Sequence, residues 1–140
     1  ILIGLVGSEM CIRDRSLTGI FVLCMLFGFN HQQYVTMLPK SITTAIGIGI
    51  SEELGGIVTI TVAVIIITGI LGNVIADTVF HIFKIKNPLA KGLALGTASH
   101  AIGTARAIEM GPVEGAMSSL AVAVAGLLTV VFVSGFAQLI

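Results

Sequence analysis

The sequence predicts an all-α fold: a polytopic bundle of transmembrane helices, two of them interrupted at glycines and related by an internal repeat. Three observations predict this class. Of the 140 residues, 56% are hydrophobic and only 10% are charged, whereas a soluble domain is about 25% charged. The mean hydropathy is +1.10. Two Gly-rich polar segments recur about 56 positions apart, and each precedes an uninterrupted apolar run. The chain therefore lacks the polar surface of a soluble domain.

The charge, cysteine and histidine patterns argue against a nucleic-acid-binding protein, a metalloprotein and an enzyme. The formal net charge is zero and the seven basic residues are scattered, so we expect no nucleic-acid partner. Cys11 and Cys24 have neither a metal-ligand spacing nor a disulfide framework, and His31, His81 and His100 lack the spacing of a metal or catalytic site. We therefore expect no metal, no cofactor and no enzymatic activity.

The first 15 residues differ from the rest. VGSEMCIRDR, residues 6–15, carries four charges, and the next 24 residues carry none. The segment resembles a peptide produced when a sequencing-library adapter is translated. We predict that residues 1–15 are not native and that residues 16–140 form a partial membrane domain. A short charged loop between two helices is the alternative.

The predicted elements follow in order. Residues 17–29 are apolar but shorter than the ~20 residues of a membrane span. This predicts a helix whose N-terminal half was lost where the predicted non-native segment meets residue 16. NHQQY, residues 30–34, is read as an interfacial turn. Pro39 and the hydroxyl residues after it predict a helix start with Ser41 as the N-cap, and Gly55 with Gly56 predicts its end.

The second half of the chain has clearer signals for helices. Residues 57–83 contain one charge, Asp77, and predict the clearest transmembrane helix. Asn87 as a cap and Pro88 in the first turn predict a helix start near Leu89. A last span is predicted at about 115–138, with a small-residue stripe suited to close helix packing: Gly115, Ser118, Ser119, Ala123 and Gly126.

A repeat relates the two halves. TTAIGIGISEELG (43–55) aligns with SHAIGTARAIEMG (99–111) with five identities in thirteen positions, giving copies at about 35–83 and 89–138. Paired Gly-interrupted segments indicate a transporter site, because freed backbone groups are tolerated in a membrane only where protein or a water-filled cavity satisfies them. We predict backbone breaks at Gly47, Gly49, Gly96, Gly103 and Gly111.

The predicted site binds a small anion, because the N-termini of half-helices carry partial positive charge. Arg106 is the candidate counter-charge, and His100, Glu53 and Glu109 are the candidate coupling groups. Arg106 and Glu109 could instead neutralise each other as a helical pair. The hydroxyl donors at the breaks are Ser41, Thr43, Thr44, Thr97, Ser99 and Thr104.

Two topologies are open. If both broken segments cross the membrane, Lys40, Lys84, Lys86 and Lys91 lie on one side, cytoplasmic by the positive-inside rule. Glu52, Glu53, Glu109 and Glu114 then lie on the other side. If each segment is re-entrant, the copies are inverted and Lys40 moves to the far side.

MLPKSITTAIG (37–47) and KGLALGTASHAIGTARA (91–107) resemble the LrgB family, also written CidB/LrgB. The resemblance covers residues 17 to about 138 and corresponds to the C-terminal part of the longer family members. It implies a multi-pass protein of the bacterial inner membrane with a small holin-like LrgA or CidA partner. Family members are described as modulators of murein hydrolase activity and autolysis, and some relatives transport small monocarboxylates.

Two functions follow from this resemblance. The first is a carrier for small monocarboxylates such as pyruvate or glycolate, with a role in the control of murein hydrolase activity. The alternative is a holin- or antiholin-like partner that transports nothing and modulates hydrolase export. For the alternative, the small-residue stripe would form the face of a homo-oligomer.

Overall fold

In the computed structural model, which describes residues 2–139, the chain forms six α-helices and a short 3₁₀ turn, with no strand in that range. The helices are α1 (Leu2–Phe27), α2 (His31–Met37), α3 (Thr44–Glu53), α4 (Val58–Ile82), α5 (Pro88–Met110) and α6 (Pro112–Phe136). The 3₁₀ turn at Ala137–Leu139 follows α6 directly. The predicted all-α class is therefore confirmed.

α1 runs without interruption through residues 15 and 16, where the predicted non-native segment ends. Its buried positions recur every three or four residues, as one stripe of a helix requires. They are Leu5, Glu9, Arg13, Leu17, Ile20 and Cys24. The expected short helix at 17–29 is therefore part of a 26-residue helix. It ends where Phe29 N–H bonds the Cys24 carbonyl at 2.9 Å and Gly28 is left-handed, with φ 66°.

The predicted turn at 30–34 is instead the start of α2. Asn30 is its N-cap and accepts a hydrogen bond from Gln33 N–H, while the Gln33 side chain accepts from Asn30 N–H. This capping box satisfies two backbone donors that the first turn leaves unpaired. The N-x-x-Q pattern was therefore a helix-start signal, and the prediction of a turn was wrong.

α3 starts later than predicted. Its N-cap is Thr43, with extended backbone, and not Ser41. Ser41 cannot cap α3 because residues 38–43 form a non-helical link. The predicted end is confirmed, since α3 stops at Glu53 and Gly55 is left-handed, with φ 74°.

Within residues 2–139, α4 and α6 are the two helices long and apolar enough to cross a membrane, at the predicted places. Large apolar side chains on their outer faces are exposed, including Val74 (70%), Leu127 (71%) and Val131 (71%). Many exposed large apolar side chains on such helices are consistent with a membrane or partner interface. On α6 the small-residue stripe is buried at Gly115, Ser118 and Gly126 but exposed at Ser119 and Ala123.

α5 is a helical hairpin and not a straight helix. Its start at Asn87 and Pro88 is as predicted, with Asn87 Oδ1 accepting from Leu89 N–H. Within it His100 has φ 41° and ψ −126°, which is not helical. A Cβ built on Gly103 would collide with the Leu95 carbonyl, eight residues away and thus about 12 Å apart in a straight helix. The chain therefore reverses at His100.

The two arms of α5, residues 88–99 and 101–110, both lie against α4. On the first arm, Lys91 Nζ lies 5.9 Å from the centre of the Phe80 ring. On the second arm, Arg106 Nη2 donates to Asp77 Oδ2 at 2.6 Å. Both arms thus meet the same end of α4, whereas the reversal reaches Gly69 and Gly72 near its middle.

This reversal corrects the predicted glycine breaks. Gly47 and Gly49 lie inside α3, and Gly96 and Gly103 lie inside the arms of α5. Of the five, only Gly111 lies at a helix end. Gly96 and Gly103 instead allow close packing, since a Cβ on Gly96 would collide with the Ser118 carbonyl. The chain breaks at a histidine because Gly69 and Gly72 of α4 leave room for it.

The segment of α2, residues 38–43 and α3 reverses in a similar way. A Cβ on Gly47 would lie 3.8 Å from Pro39 Cβ, again eight residues away. Thr36 Oγ1 accepts from Ile57 N–H at 2.8 Å and its carbonyl accepts from Thr61, so this segment rests on the start of α4. We call residues 31–53 hairpin 1 and α5 hairpin 2. They approach α4 from opposite ends.

The crossing topology is therefore wrong for α5. Because its second arm returns to the first arm's starting level, Glu109 and Glu114 lie at the same end as Lys84, Lys86 and Lys91. Both hairpins reverse as the re-entrant alternative requires, but Lys40 lies at the tip of hairpin 1 and not on the far side. The internal repeat itself stays a prediction.

Candidate functional site

The tips of the two hairpins meet at one cavity of about 430 Å³. Its size is in the range of ligand pockets. Lys40 and Ser41 come from the link of hairpin 1, Thr97 from the end of the first arm of hairpin 2, and Thr68 from the middle of α4. The complete lining is Ile12, Arg13, Ser16, Lys40, Ser41, Thr68, Ala94, Thr97 and Ala98.

One guanidinium joins the two tips. Arg13 Nη2 donates to the Thr97 carbonyl at 2.9 Å, and Arg13 Nη1 donates to the Ser41 carbonyl. Ser41 and Thr97 are 56 positions apart, which is the offset of the predicted repeat. The carbonyls at these two positions therefore point at one place between the tips.

The charge of Arg13 is compensated within α1. Glu9 lies one turn before it, with Oε2 3.8 Å from Arg13 Nε, and Glu9 Oε1 accepts from the Thr97 hydroxyl. Both side chains are buried. Residues predicted to carry no function thus pack directly against the predicted site.

Lys40 is the second cation of the cavity. Its Nζ donates to Ser41 Oγ at 3.2 Å, and within residues 2–139 no carboxylate lies at ion-pair distance from it. An uncompensated ammonium beside hydroxyl groups in a half-buried cavity favours an anionic ligand.

Sequence reasoning missed Lys40 and Thr68 as site residues. The available signal for Lys40 was its position between Pro39 and Ser41, inside the predicted break. Thr68 carried no signal, because it lies within the uniform apolar run of α4 and only the packing of α5 brings it to the tips.

The tip of hairpin 2 contains two buried polar groups without partners. Among the described residues, neither Ser99 Oγ nor His100 Nε2 has a hydrogen-bond partner. Ser99 packs onto Gly72, where a Cβ would collide with its hydroxyl, and His100 Cε1 would lie 3.0 Å from a Cβ on Gly69. Unpaired buried groups of this kind are costly and indicate a place where a ligand, water or proton is accommodated.

Three other predicted hydroxyl residues lie near the tips. Thr43 and Thr44 begin α3, and the Thr43 side chain makes no capping bond. Thr104 Oγ1 donates to the His100 carbonyl at 2.9 Å and lies 2.8 Å from Ser118 Oγ. Thr104 therefore ties the second arm of hairpin 2 to its tip and to α6.

The structure does not bring Arg106, Glu109 or Glu53 to the cavity. Arg106 Nη1 donates to Glu109 Oε2 at 2.7 Å and its Nη2 to Asp77, so the alternative of a neutralising helical pair describes it. Glu53 is exposed at the end of α3. All three lie away from the tips because each belongs to the open end of a hairpin.

No group of three or more metal-ligating side chains occurs within residues 2–139. The lining of the cavity, with hydroxyls, carbonyls and two cations, is suited to a small polar anion and offers no carboxylate or thiolate set for a metal.

Comparison with known proteins identifies the family. The sequence pattern of the LrgB-like family matches residues 4–139. An antiholin-like protein LrgB of Bacillus subtilis (strain 168) is 39% identical over 140 residues, which is 100% of this chain and 59% of that protein. Proteins of the same name from Bacillus cereus (strain B4264) and Bacillus anthracis (strain CDC 684 / NRRL 3495) are each 41% identical over 136 residues, 97% of this chain and 57% of theirs.

The chain thus spans less than three fifths of the length of these relatives. The match includes most of residues 1–15, and the foreign origin of that segment stays a prediction. No solved structure matches the chain. The resemblance inferred from the sequence is confirmed: the chain belongs to the LrgB-like family.

Proposed function

We propose that the chain is the substrate-binding part of a carrier for small monocarboxylates of the pyruvate or glycolate type, in a multi-pass protein of the bacterial inner membrane. One observation carries the proposal. The uncompensated ammonium of Lys40 lies with Ser41, Thr68 and Thr97 in the cavity between two hairpin tips. A carboxylate would neutralise Lys40 and accept hydrogen bonds from the hydroxyls.

The arrangement of the hairpins supports a carrier. α4 and α6 each have 25 residues and are thus about 37 Å long, and the tips lie against the middles of both. A Cβ on Gly69 of α4 would lie 2.8 Å from Ile102, and one on Gly126 of α6 would lie 2.9 Å from Ile46. Ile46 and Ile102 are matched in the repeat, so each hairpin contacts the span of the other copy.

Such reciprocal packing is what an inverted repeat produces, and inverted repeats place transporter sites near the midplane. The four residues that would contact the carboxylate, Lys40, Ser41, Thr68 and Thr97, all lie after residue 15, and Ile12 and Arg13 also line the cavity. His100, buried with its Nε2 unpartnered, is the candidate coupling group, and Ser99 is a candidate donor to the substrate. In this proposal Lys40, and not Arg106, is the counter-charge of the carboxylate.

A second candidate function rests on the relatives' names. They are called antiholin-like, which favours a partner of a small holin-like LrgA- or CidA-type protein that modulates murein hydrolase activity. The exposed apolar faces of α4 and α6 offer surface for such a partner or for a homo-oligomer. This role requires no ligand in the cavity.

The test is uptake of labelled pyruvate, glycolate and lactate by proteoliposomes that contain the chain. Saturable uptake that Lys40→Gln abolishes and Arg15→Gln leaves unchanged supports the carrier. Arg15 is the control because it is an exposed cation outside the cavity. Absence of uptake of all three, with insertion verified, contradicts the carrier. Hydrolase-dependent lysis of cells that express the chain with an LrgA-type protein then tests the second function.

A further inference from the structure

A second cavity, of about 600 Å³, lies at the end of α4 where hairpin 2 begins. The proposed carrier site does not use it. Its lining comes from the last turns of α4, the link to α5 and the first turn of α5. The lining residues are Asp77, Phe80, His81, Lys84, Ile85, Lys86 and Lys91.

The cavity is strongly basic. Within residues 2–139 no carboxylate lies at ion-pair distance from Lys84, Lys86 or Lys91. Asp77 is the one acidic residue of the lining, and its Oδ2 is already bonded to Arg106 at 2.6 Å. Three uncompensated ammonium groups therefore face one cavity, which favours a phosphate or another anion.

The backbone at Lys84 forms the turn that ends α4 beside the cavity. Lys84 has φ 53°, in the left-handed region, and the Ile85 N–H bonds the Phe80 carbonyl at 2.9 Å. This is the helix-ending turn in which proteins usually place glycine. A lysine there adopts a conformation that residues with a Cβ disfavour, and it places an exposed ammonium at the end of α4.

Exposed apolar side chains lie next to the lining residues along the chain. Ile82 is 65% exposed, Phe83 72% and Leu89 45%. A soluble anion would gain nothing from these apolar side chains, whereas a phospholipid has a charged headgroup for the lysines and acyl chains for the apolar residues. Basic pockets between membrane helices bind the headgroups of anionic lipids, and the acyl chains lie on the neighbouring apolar surface.

We propose that this cavity binds the headgroup phosphate of an anionic phospholipid, held by Lys84, Lys86 and Lys91, with its acyl chains on Ile82 and Phe83. The proposal rests on the chain lying in a membrane and not on the carrier activity. By the positive-inside rule it places the open end of hairpin 2 at the cytoplasmic surface.

The test measures binding of phosphatidylglycerol and phosphatidylcholine to the detergent-purified chain by native mass spectrometry. Phosphatidylglycerol is expected to bind more tightly. Lys84→Gln, Lys86→Gln and Lys91→Gln each weaken it about fivefold, because one lysine near an anionic lipid surface contributes about 1 kcal/mol. Arg15→Gln, outside this cavity, leaves binding unchanged, and Lys86→Arg retains it because the charge is kept.

Equal binding of the two lipids, or unchanged phosphatidylglycerol binding by the triple Lys→Gln variant, overturns the proposal. Displacement of the lipid by glycerol 3-phosphate at equal concentration also overturns it, in favour of a soluble anion. If the triple Lys→Gln variant does not fold, the triple Lys→Arg variant and the single variants provide the comparison. The Lys40→Gln variant keeps its lipid binding, so failure of the carrier proposal is measured separately.

Discussion

The two hairpins use the same reversal for different purposes. Hairpin 1 has a first helix of seven residues and a six-residue non-helical link, and this link carries Lys40 and Ser41 to the cavity. Hairpin 2 is helical up to a single non-helical residue, His100, and its tip packs tightly on Gly69 and Gly72. An open link exposes side chains and carbonyls to a ligand, whereas a helix satisfies its own backbone.

Their difference is clearest at matched positions of the predicted repeat. Lys40 in hairpin 1 corresponds to Gly96 in hairpin 2, where only a glycine allows α6 to approach. One hairpin therefore supplies charge and the other supplies close packing. Two copies of a repeat can therefore share a backbone path while each copy has a separate role.

The largest expected effect is on the charge that hairpin 1 supplies. Lys40→Gln should lower carboxylate uptake about 100-fold, because removing one partner of a charge pair in a half-buried cavity costs about 2–3 kcal/mol. Uptake is measured in proteoliposomes across substrate concentrations. Lys40→Arg should retain part of it. Uptake by Lys40→Gln equal to that of the unaltered chain would remove hairpin 1 from the site.

The second effect tests packing at the matched glycines. Gly103→Ala should destabilise the chain by about 1–3 kcal/mol, because its Cβ would meet the Leu95 carbonyl, which cannot move aside. Gly47→Ala should cost less than about 1 kcal/mol. Its Cβ would collide with the flexible end of Ile65 and make an ordinary contact with Pro39, and alanine favours the helix. Both are measured by thermal unfolding in detergent.

Gly49→Ala is the control for this pair, because nothing lies within 4 Å of a Cβ there. It should leave stability unchanged or raise it slightly. An equal cost for Gly47→Ala and Gly103→Ala would contradict the difference in packing between the two hairpins.

A smaller effect separates ligand binding from structure at the tip of hairpin 2. Ser99→Ala should leave the free energy of unfolding unchanged or raise it by up to about 1 kcal/mol, since the Ser99 hydroxyl has no partner. Ser118→Ala should lower it by about 1 kcal/mol, because it removes the bond to Thr104. If Ser99 contacts substrate, Ser99→Ala raises the KM for uptake. A loss of stability instead would mean that this hydroxyl is structural.

The smallest effect is expected at Arg106. Arg106→Gln should leave uptake unchanged and lower stability slightly, because an exposed ion pair contributes little and is screened by salt. The stability difference should disappear in high salt. Loss of uptake in this variant would restore Arg106 as the counter-charge that its place in the sequence predicted.

Local signals in the sequence were sufficient for much of this description. Asn87 and Pro88 begin α5 and Gly55 ends hairpin 1, because caps depend on a few neighbouring residues. The two long spans follow from uninterrupted apolar runs, and the family follows from the block at 91–107. The hydroxyl residues Ser41 and Thr97 were predicted as site residues from the Gly-interrupted segments, and both line the cavity between the tips.

Only the tertiary structure decided where the chain reverses and which charge reaches the cavity. A glycine is the obvious place for a break, but the chain breaks at His100 because Gly69 and Gly72, some 30 residues earlier, leave a recess for it. The reversal then places Arg106 beside Asp77 and leaves Lys40 at the tips. Local sequence determines where a helix can begin or end, whereas the direction taken after a break depends on distant surfaces.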